Sequence, residues 1–457
     1  MTRRVLLYLV SLIMLLFSAC SNSTSATGAA VDDDEPLFFP DSLNEIPPSG
    51  FYADPFIVIL NDSSLHCERG GTAPTVRSPA YREIKVYKAT TLRCVALENG
   101  KKKGDELIRT YVFREQPTIA SVFITAVPGS LFDPDTGIYM EGQNAEKKKP
   151  HYGANYWVDK EIPIFIEFIE DKDTAPAFAK FAGLEIFGGY SRTYEKKSVA
   201  ITFREKYGDK RLRYSLFPEN PELKKFKGFV LRNNGNNFHN GYIRDRLATS
   251  VSEGLGVDYQ RGRFVVVYYN GEYFGIHDLR ERANRYYFET HYGKDPDEID
   301  LLKADNSVSA GSSADYISLL KWLDTHHLNN AENFNYVASQ IDVGNYVNYM
   351  LTEMFSNNRD WPGNNLKKWR GTNPLTKWKW LLYDLDFGFG FGDSKKGNIF
   401  SYAANVNKTD GQNGPEHTLL LRRLLENDDF KRMFINRMNV LLVMNFESLR
   451  VLAKIKN

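Results

Sequence analysis

Two acidic segments in the last third of the chain constrain its fold more than any other feature. The first reads Asn358-Arg359-Asp360-Trp361-Pro362-Gly363-Asn364-Asn365, a carboxylate followed five positions later by an amide, after a helix expected over residues 344–357. The second reads Tyr383-Asp384-Leu385-Asp386-Phe387-Gly388, and a hairpin expected from residues 367–370 and 377–382 lies between them. If residues 383–386 form a strand, Asp384 and Asp386 face one side and can share one hard cation. Each fragment alone is common, whereas the ordered set is far more specific.

The rest of the composition narrows the field. At 457 residues and 42% hydrophobic, the chain can bury more than one core, which excludes a disordered protein and a small disulfide scaffold. Lys plus Arg number 58 against 57 Asp plus Glu, which argues against a bulk electrostatic grip on nucleic acid while leaving room for a local basic groove that holds phosphates, and no nucleic-acid partner is expected. The runs Lys101-Lys102-Lys103 and Lys147-Lys148-Lys149 read as solvated loop charge.

Arg3-Arg4, an apolar run over residues 5–17 and Ser18-Ala19 before Cys20 form an export signal too short to span a bilayer. Ending on Phe17-Ser18-Ala19-Cys20, it resembles a bacterial lipoprotein signal, which implies lipidation at Cys20; a plain secretory signal is the alternative. The expectation is a signal peptide over 1–20, a polar linker over 21–48, and an exported lipoprotein of the bacterial cell envelope that meets the membrane only through its anchor. Cys67 and Cys94 read as one disulfide or as a pair of closed thiols.

Residues 49–115 carry short β-rich runs at 56–60, 83–87, 91–96 and 110–113, separated by turn clusters, the pattern of a small sandwich. Gly50-Phe51-Tyr52, Gly70-Gly71-Thr72-Ala73-Pro74-Thr75 and Thr110-Tyr111 resemble the Ig-like module that ends chitobiases and hexosaminidases. Leu65-His66-Cys67 departs from the tyrosine-rich strand usual there, and nothing catalytic is visible in the module.

Residues 116–457 read as one larger α+β domain. Strand-like runs at 121–126, 163–169 and 184–187 lead to Gly188-Gly189-Tyr190-Ser191-Arg192, and a second strand follows Lys196-Lys197. A glycine turn between strands lets backbone amides approach a phosphate, and the lysine would put an ammonium beside it; alone, this is ordinary turn chemistry. Ile243, Leu247, Val251 and Leu255 predict a helix over 242–255, and Asn270-Gly271 predicts a tight hairpin. Strands, helix, hairpin and crossing segment follow the order of a kinase small lobe and hinge.

The Asp360–Asn365 spacing matches the R-D-x-x-x-x-N catalytic loop of protein kinases, with Asn358 where histidine is usual. Phosphoryl transfer needs a carboxylate for the acceptor hydroxyl, which suits Asp360, and oxygen ligands for magnesium, which suit Asn365, Asp384 and Asp386. These motifs, with Leu131-Phe132-Asp133-Pro134-Asp135-Thr136-Gly137, Leu231-Arg232-Asn233, Arg244-Asp245, Asn270-Gly271-Glu272-Tyr273-Phe274-Gly275-Ile276 and Arg280-Glu281, resemble the CotH kinase family over residues 121–442. The resemblance implies a two-lobed atypical protein-kinase-like domain that uses ATP with Mg2+ or Mn2+ on Ser or Thr of protein substrates. It implies Asp360 and Lys197 as catalytic residues, Gly188, Gly189, Ser191, Arg192 and Lys197 around the nucleotide, and Glu281 as a hinge-side contact. Asn365, Asp384 and Asp386 become its metal shell. Tyr383 stands where that family often has tryptophan. The competing classes are a pseudokinase-like surface binding protein and a metal-dependent phosphohydrolase built on Asp384 and Asp386.

Overall fold

The computed structural model describes residues 46–391, 397–404 and 412–456. The signal segment, Cys20 and the linker as far as residue 45 lie outside the described residues. Among the described residues no helix is long and apolar enough to cross a membrane.

The chain begins with a two-sheet β module. Strands β1 (Gly50–Tyr52), β2 (Phe56–Ile59), β3 (Leu65–Arg69), β4 (Glu83–Val86), β5 (Thr90–Glu98) and β6 (Lys101–Phe113) form a four-stranded sheet of order β1-β6-β5-β3 and a two-stranded sheet β2-β4. Alternate residues point inward, so Phe56, Val58, Ile84, Val86, Leu92 and Tyr111 make a common core. Cys67 and Cys94 are direct partners across β3 and β5 and are joined by a disulfide. Lys101-Lys102-Lys103 are exposed but belong to β6, not to a loop, because Asn99 and Gly100 turn the chain at once back along β5.

The second unit is a closed barrel. Its strands are β7 (Ser121–Thr125), β8 (Ile162–Ile169), β9 (Phe178–Phe187) and β10 (Ser198–Thr202), with a short helix α1 (Pro128–Phe132) after β7. After the two-residue pair β11 (Leu212–Arg213) and β12 (Lys225–Phe226) come β13 (Gly228–Arg232), helix α2 (Arg244–Ser250), β14 (Asp258–Tyr259), β15 (Gly262–Tyr269) and β16 (Glu272–Glu281). The order β10-β13-β16-β15-β7-β8-β9 closes on itself, with β7 parallel to β15 and every other neighbour antiparallel. Val199, Ile201, Phe229, Leu231 and Leu279 fill the interior. By the two-residue period, Ser198, Val230 and Arg232 therefore face outward. The helix expected over 242–255 stops at Ser250, because the Ser250 and Ser252 hydroxyls donate to the Leu247 and Thr249 carbonyls and draw the chain into turns.

The remaining chain builds a helical unit around a five-stranded sheet of order β14-β20-β19-β17-β18. Its elements are α3 (Arg285–Tyr292), β17 (Ile299–Lys303), β18 (Val308–Ala310), α4 (Ala314–Thr325), α5 (Ala331–Gln340), α6 (Val343–Ser356), β19 (Leu366–Gly371) and β20 (Lys379–Leu382). Helices α7 (Ile399–Ala404), α8 (Pro415–Leu424), α9 (Asp428–Val443) and α10 (Ser448–Lys456) complete it. A separate core, including Leu323, Tyr349, Leu351, Trp361, Trp378, Leu382 and Leu421, holds these elements together.

The β module is pressed onto the barrel. Phe51 meets Phe123 and Tyr268 edge-on at 5.4 and 5.7 Å, and a Cβ at Gly71 would fall 2.3 Å from both Ala126 O and Asn270 Oδ1. Glu167 of β8 is sealed in this interface, where burial pushes its carboxyl up to about 7 against the opposing pull of Ser49, Thr110 and Arg109. A carboxyl raised in the folded state keeps a proton that the unfolded chain has released, so stability falls as pH rises from the ordinary glutamate range to about 7. The slope is about 1.4 kcal/mol per pH unit. Glu167→Gln should remove that fall in urea unfolding followed from pH 5 to 7.5, and an unchanged slope would show that Glu167 is not the group responsible.

Candidate active site

Arg232 ends β13 on its outward face, and three carboxylates from two other elements meet its guanidinium. It donates to Asp245 Oδ2 from α2 and to Asp384 Oδ1, and reaches Asp386 Oδ2 at 3.3 Å. Arg280 of β16 adds a second bond to Asp245 Oδ2 at 2.5 Å, and the Leu385 N–H donates to Asp245 Oδ1 at 2.8 Å. Asp245 thus ties the barrel to the segment after β20. Burial opposes its ionisation, and Arg280, Arg232 and the Leu385 amide more than reverse this, so its pKa lies below the usual range. Asp386 is pushed the other way, by burial and by the neighbouring charge of Asp384.

The sequence expectation of a strand through Asp384 and Asp386 does not hold. Strand β20 ends at Leu382, and Asp384 has a φ of 60°, so the chain breaks from extended geometry there. Both carboxylates still converge, because Arg232 attracts them and because the asparagine loop after β13 grips Asp386. The Asn236 N–H donates to Asp386 Oδ2 at 3.1 Å, and Asn237 Nδ2 to the Asp386 carbonyl at 3.1 Å. Gly235 is needed for this closeness: a Cβ there would lie 2.7 Å from Asp386 Oδ2. Arg244 braces the loop from α2, donating to Asn237 Oδ1 at 2.5 Å.

Asp360 lies in the connection after α6. Its Oδ2 accepts from Asn364 Nδ2 at 3.0 Å and Asn365 Nδ2 at 2.9 Å, and its N–H donates to Asn358 Oδ1 at 3.1 Å. The Asn358 amide is in turn fixed by Glu353 of α6, to whose Oε2 it donates at 3.0 Å. Both Glu353 and Asn358 are fully buried. Burial pushes the Glu353 carboxyl up to about 8, and the charges of Asp245 and Asp384 add to the shift. Burial also raises Asp360, with the same charge of Asp384 adding to the shift, while Asn364 and Asn365 oppose the rise. Asp360 and Asp384 therefore share one electrostatic environment, with Asn365 bonded to the former.

The glycine turn between β9 and β10 is joined to this cluster through Asn233, whose Nδ2 donates to Ser191 O at 3.3 Å and Lys196 O at 2.7 Å. Gly188 takes a φ of 104°, and its carbonyl accepts from Arg192 Nε at 2.5 Å. Lys197 is not directed at the carboxylates. Its ammonium donates to Arg192 O at 2.6 Å and Tyr194 O at 3.0 Å and sits 4.0 Å from the centre of the Tyr156 ring. Burial lowers its pKa to about 8. Glu281 is likewise engaged: its carboxylate accepts from His291 Nε2 at 2.5 Å and from the Arg261 N–H at 2.9 Å. The structure thus brings Arg232, Asp245, Asp384 and Asp386 together, adds Asp360 and Asn365 beside them, and turns Lys197 and Glu281 to other partners.

A divalent cation fits here only in a particular way. Among the described residues no cluster of three or more His, Cys, Asp or Glu side chains is arranged to hold a metal. Asp386 Oδ1, however, is buried and has no hydrogen-bond partner. Magnesium is held by one or two carboxylates with the remaining oxygens from phosphate and water, so Asp386, Asp384 and the Asn365 amide fit that kind of site and not an all-protein cage.

Arg232, Asp245, Glu353 and Asn358 had no assigned role from sequence alone. The signals were present, in Leu231-Arg232-Asn233, Arg244-Asp245 and the asparagine in a histidine position, but nothing in the spacing said that they meet. A family model described as CotH kinase protein matches residues 184–457, which is more than half of the chain and includes every residue of this cluster. The chain belongs to that family. No curated protein matches it.

Asp245 neutralises two guanidinia, that of the buried Arg280 and that of the part-buried Arg232, so its removal leaves charge that nothing else in α2 can replace. Asp245→Ala should cost about 3–5 kcal/mol in urea unfolding. A loss below about 1 kcal/mol would mean that the pairing does not hold the units together.

Proposed function

We propose that this member of the CotH kinase family is an ATP- and divalent-metal-dependent protein kinase that phosphorylates Ser or Thr of exported or surface proteins. The observation that carries the reading is the convergence of one strand-end cation, Arg232, with Asp384 and Asp386, next to the Asp360–Asn365 loop. In the order β9-β10-β13-β16-β15, the glycine turn joins the first pair and Arg232 ends the third strand. That is the position from which kinases present the lysine that pairs with a helix carboxylate, here Asp245. Arg232 accordingly replaces Lys197 in the proposal as the cation that meets the phosphates, and Lys197 becomes the brace of the glycine turn.

The chain's residues divide the work. Arg232, released in part from Asp384, holds phosphate oxygens with a planar fork of N–H donors. The backbone of Gly188 to Arg192 covers them. Asp386, Asp384 and Asn365 hold the magnesium or manganese, which when bound supplies positive charge against the phosphates. Asp360 accepts the proton of the incoming Ser or Thr hydroxyl, and its raised pKa brings it nearer the range useful to a general base. Asn358 and Glu353 fix the backbone of Asp360, so the carboxylate is aimed before substrate arrives. Lipidation at Cys20 would tether the enzyme to the cell envelope, within reach of exported substrates.

A binding protein without transfer is favoured by one observation, the guanidinium that already satisfies Asp384. Incubation of the soluble chain with γ-labelled ATP and Mg2+ or Mn2+ separates the two. Phosphate should appear on protein, and Asp360→Ala should reduce the rate by about 10²–10⁴ while the thermal shift given by nucleotide persists. Asp386→Asn should instead weaken the metal-dependent part of that shift. Label released only to water, or no label with no thermal shift, would overturn the kinase reading.

A further inference from the structure

A cavity of about 210 Å3 opens at the end of β13 opposite Arg232. Gly228 begins that strand and Arg232 ends it, a rise of roughly 13 Å. The cavity lining includes Thr202, Arg204, Lys227, Arg282 and Tyr286, together with one acidic residue, Glu281. Its volume falls below the roughly 300 Å3 at which sites for drug-sized ligands begin, so it admits a compact group and not a whole nucleotide.

The cations around it are incompletely neutralised. Glu161 is shared by Arg204 and Lys206 at 2.8 and 2.9 Å, and Glu289 by Arg211 and Lys225 at 2.8 and 2.7 Å. Glu185 pairs with Arg282 at 2.9 Å, and Glu281 is turned to His291 and the Arg261 amide. Among the described residues no ion pair includes Lys227, whose ammonium makes a long contact, 3.5 Å, with the Lys210 carbonyl and sits 5.7 Å from the centre of the Tyr286 ring. Burial lowers its pKa, and the charges of Arg211 and Arg204 lower it further. Arg204 uses only its Nε on Glu161, leaving its terminal nitrogens for another acceptor.

We propose that this cavity is an oxyanion site that takes a tetrahedral phosphate dianion, with Lys227 at its centre and Arg204 and Arg282 at its sides. Clusters of Arg and Lys around a compact pocket recognise tetrahedral dianions through charge-assisted hydrogen bonds. The cavity lies at the opposite end of β13 from Arg232, and the proposal does not depend on the kinase reading. Its ligand is either a phosphorylated Ser or Thr side chain or free phosphate, which carry the same chemistry.

The test is a thermal-unfolding titration of the full chain at fixed ionic strength, with Mg2+ and a non-hydrolysable ATP analogue present to fill the Arg232 site. Inorganic phosphate and O-phosphoserine are the two probes. Both should raise Tm, and Lys227→Gln should weaken both at least about tenfold, while Lys227→Arg keeps binding near the wild-type level. Tighter binding of O-phosphoserine assigns the site to a phosphorylated side chain, and equal binding assigns it to free phosphate. No shift beyond that of chloride, or a shift unchanged in Lys227→Gln, would overturn the proposal. Failure of the nucleotide reading is scored separately, as the absence of a shift with the ATP analogue alone.

Discussion

A guanidinium held at the end of a strand and largely withdrawn from water must be neutralised, and most of the architecture around the site follows from how Arg232 achieves this. Its neighbours in the barrel supply no carboxylate that reaches it directly, so the charge is met by α2 and by the segment after β20. One buried cation therefore couples the barrel to the helical unit. Removing any single carboxylate unbalances a site in which Arg280 and Asp278 also lie buried. The asparagine loop exists to make this close approach without adding charge: it offers amides and backbone N–H groups, and a glycine where a side chain would collide with Asp386.

The rest of the molecule makes that meeting point rigid. β13, which carries Arg232, is paired on both sides, with β10 and with β16, and the parallel pairing of β7 with β15 closes the barrel so that it has no free edge. The β module packs on the hairpin that precedes β16, the strand carrying Arg280 and Asp278. From the other side, α6 presents Glu353 to Asn358 and the Ser356 carbonyl to the Phe389 N–H at 2.6 Å. The loop bearing Asp360 and the segment bearing Asp386 thus hang from the same helix. A buried glutamate whose pKa is raised, first by burial and then by the charges of Asp245 and Asp384, limits the negative charge in a crowded site.

Local patterns in the sequence were readable wherever structure is decided locally. Asn270-Gly271 reads as a hairpin and is one, and the helix expected over 344–357 appears as α6, because turn chemistry and apolar period suffice for both. The acidic segments were legible as a set, since their spacing reflects a single loop and a single hairpin. The partner of the carboxylates was not. Lys197 stands just before β10 and is taken up by the carbonyls of its own turn and the Tyr156 ring, whereas Arg232 points outward because Leu231 points in, a fact set by barrel pairings far away in sequence. The partner of Glu281 was equally hidden: His291, ten residues on, returns on α3 to meet its carboxylate. The expected strand through Asp384 failed because that residue adopts left-handed geometry, which an alternating pattern cannot reveal.

The central claim is that the Arg232 cluster is the seat of a nucleotide's phosphates. A crystal structure of the chain with Mg2+ and a non-hydrolysable ATP analogue addresses it directly. The expected result is phosphate oxygens against Arg232 and the glycine turn, with the metal on Asp386 Oδ1 and Asp360 facing the terminal phosphate. A guanidinium still clasped by Asp384 and Asp386, with the nucleotide bound elsewhere or not at all, would contradict it.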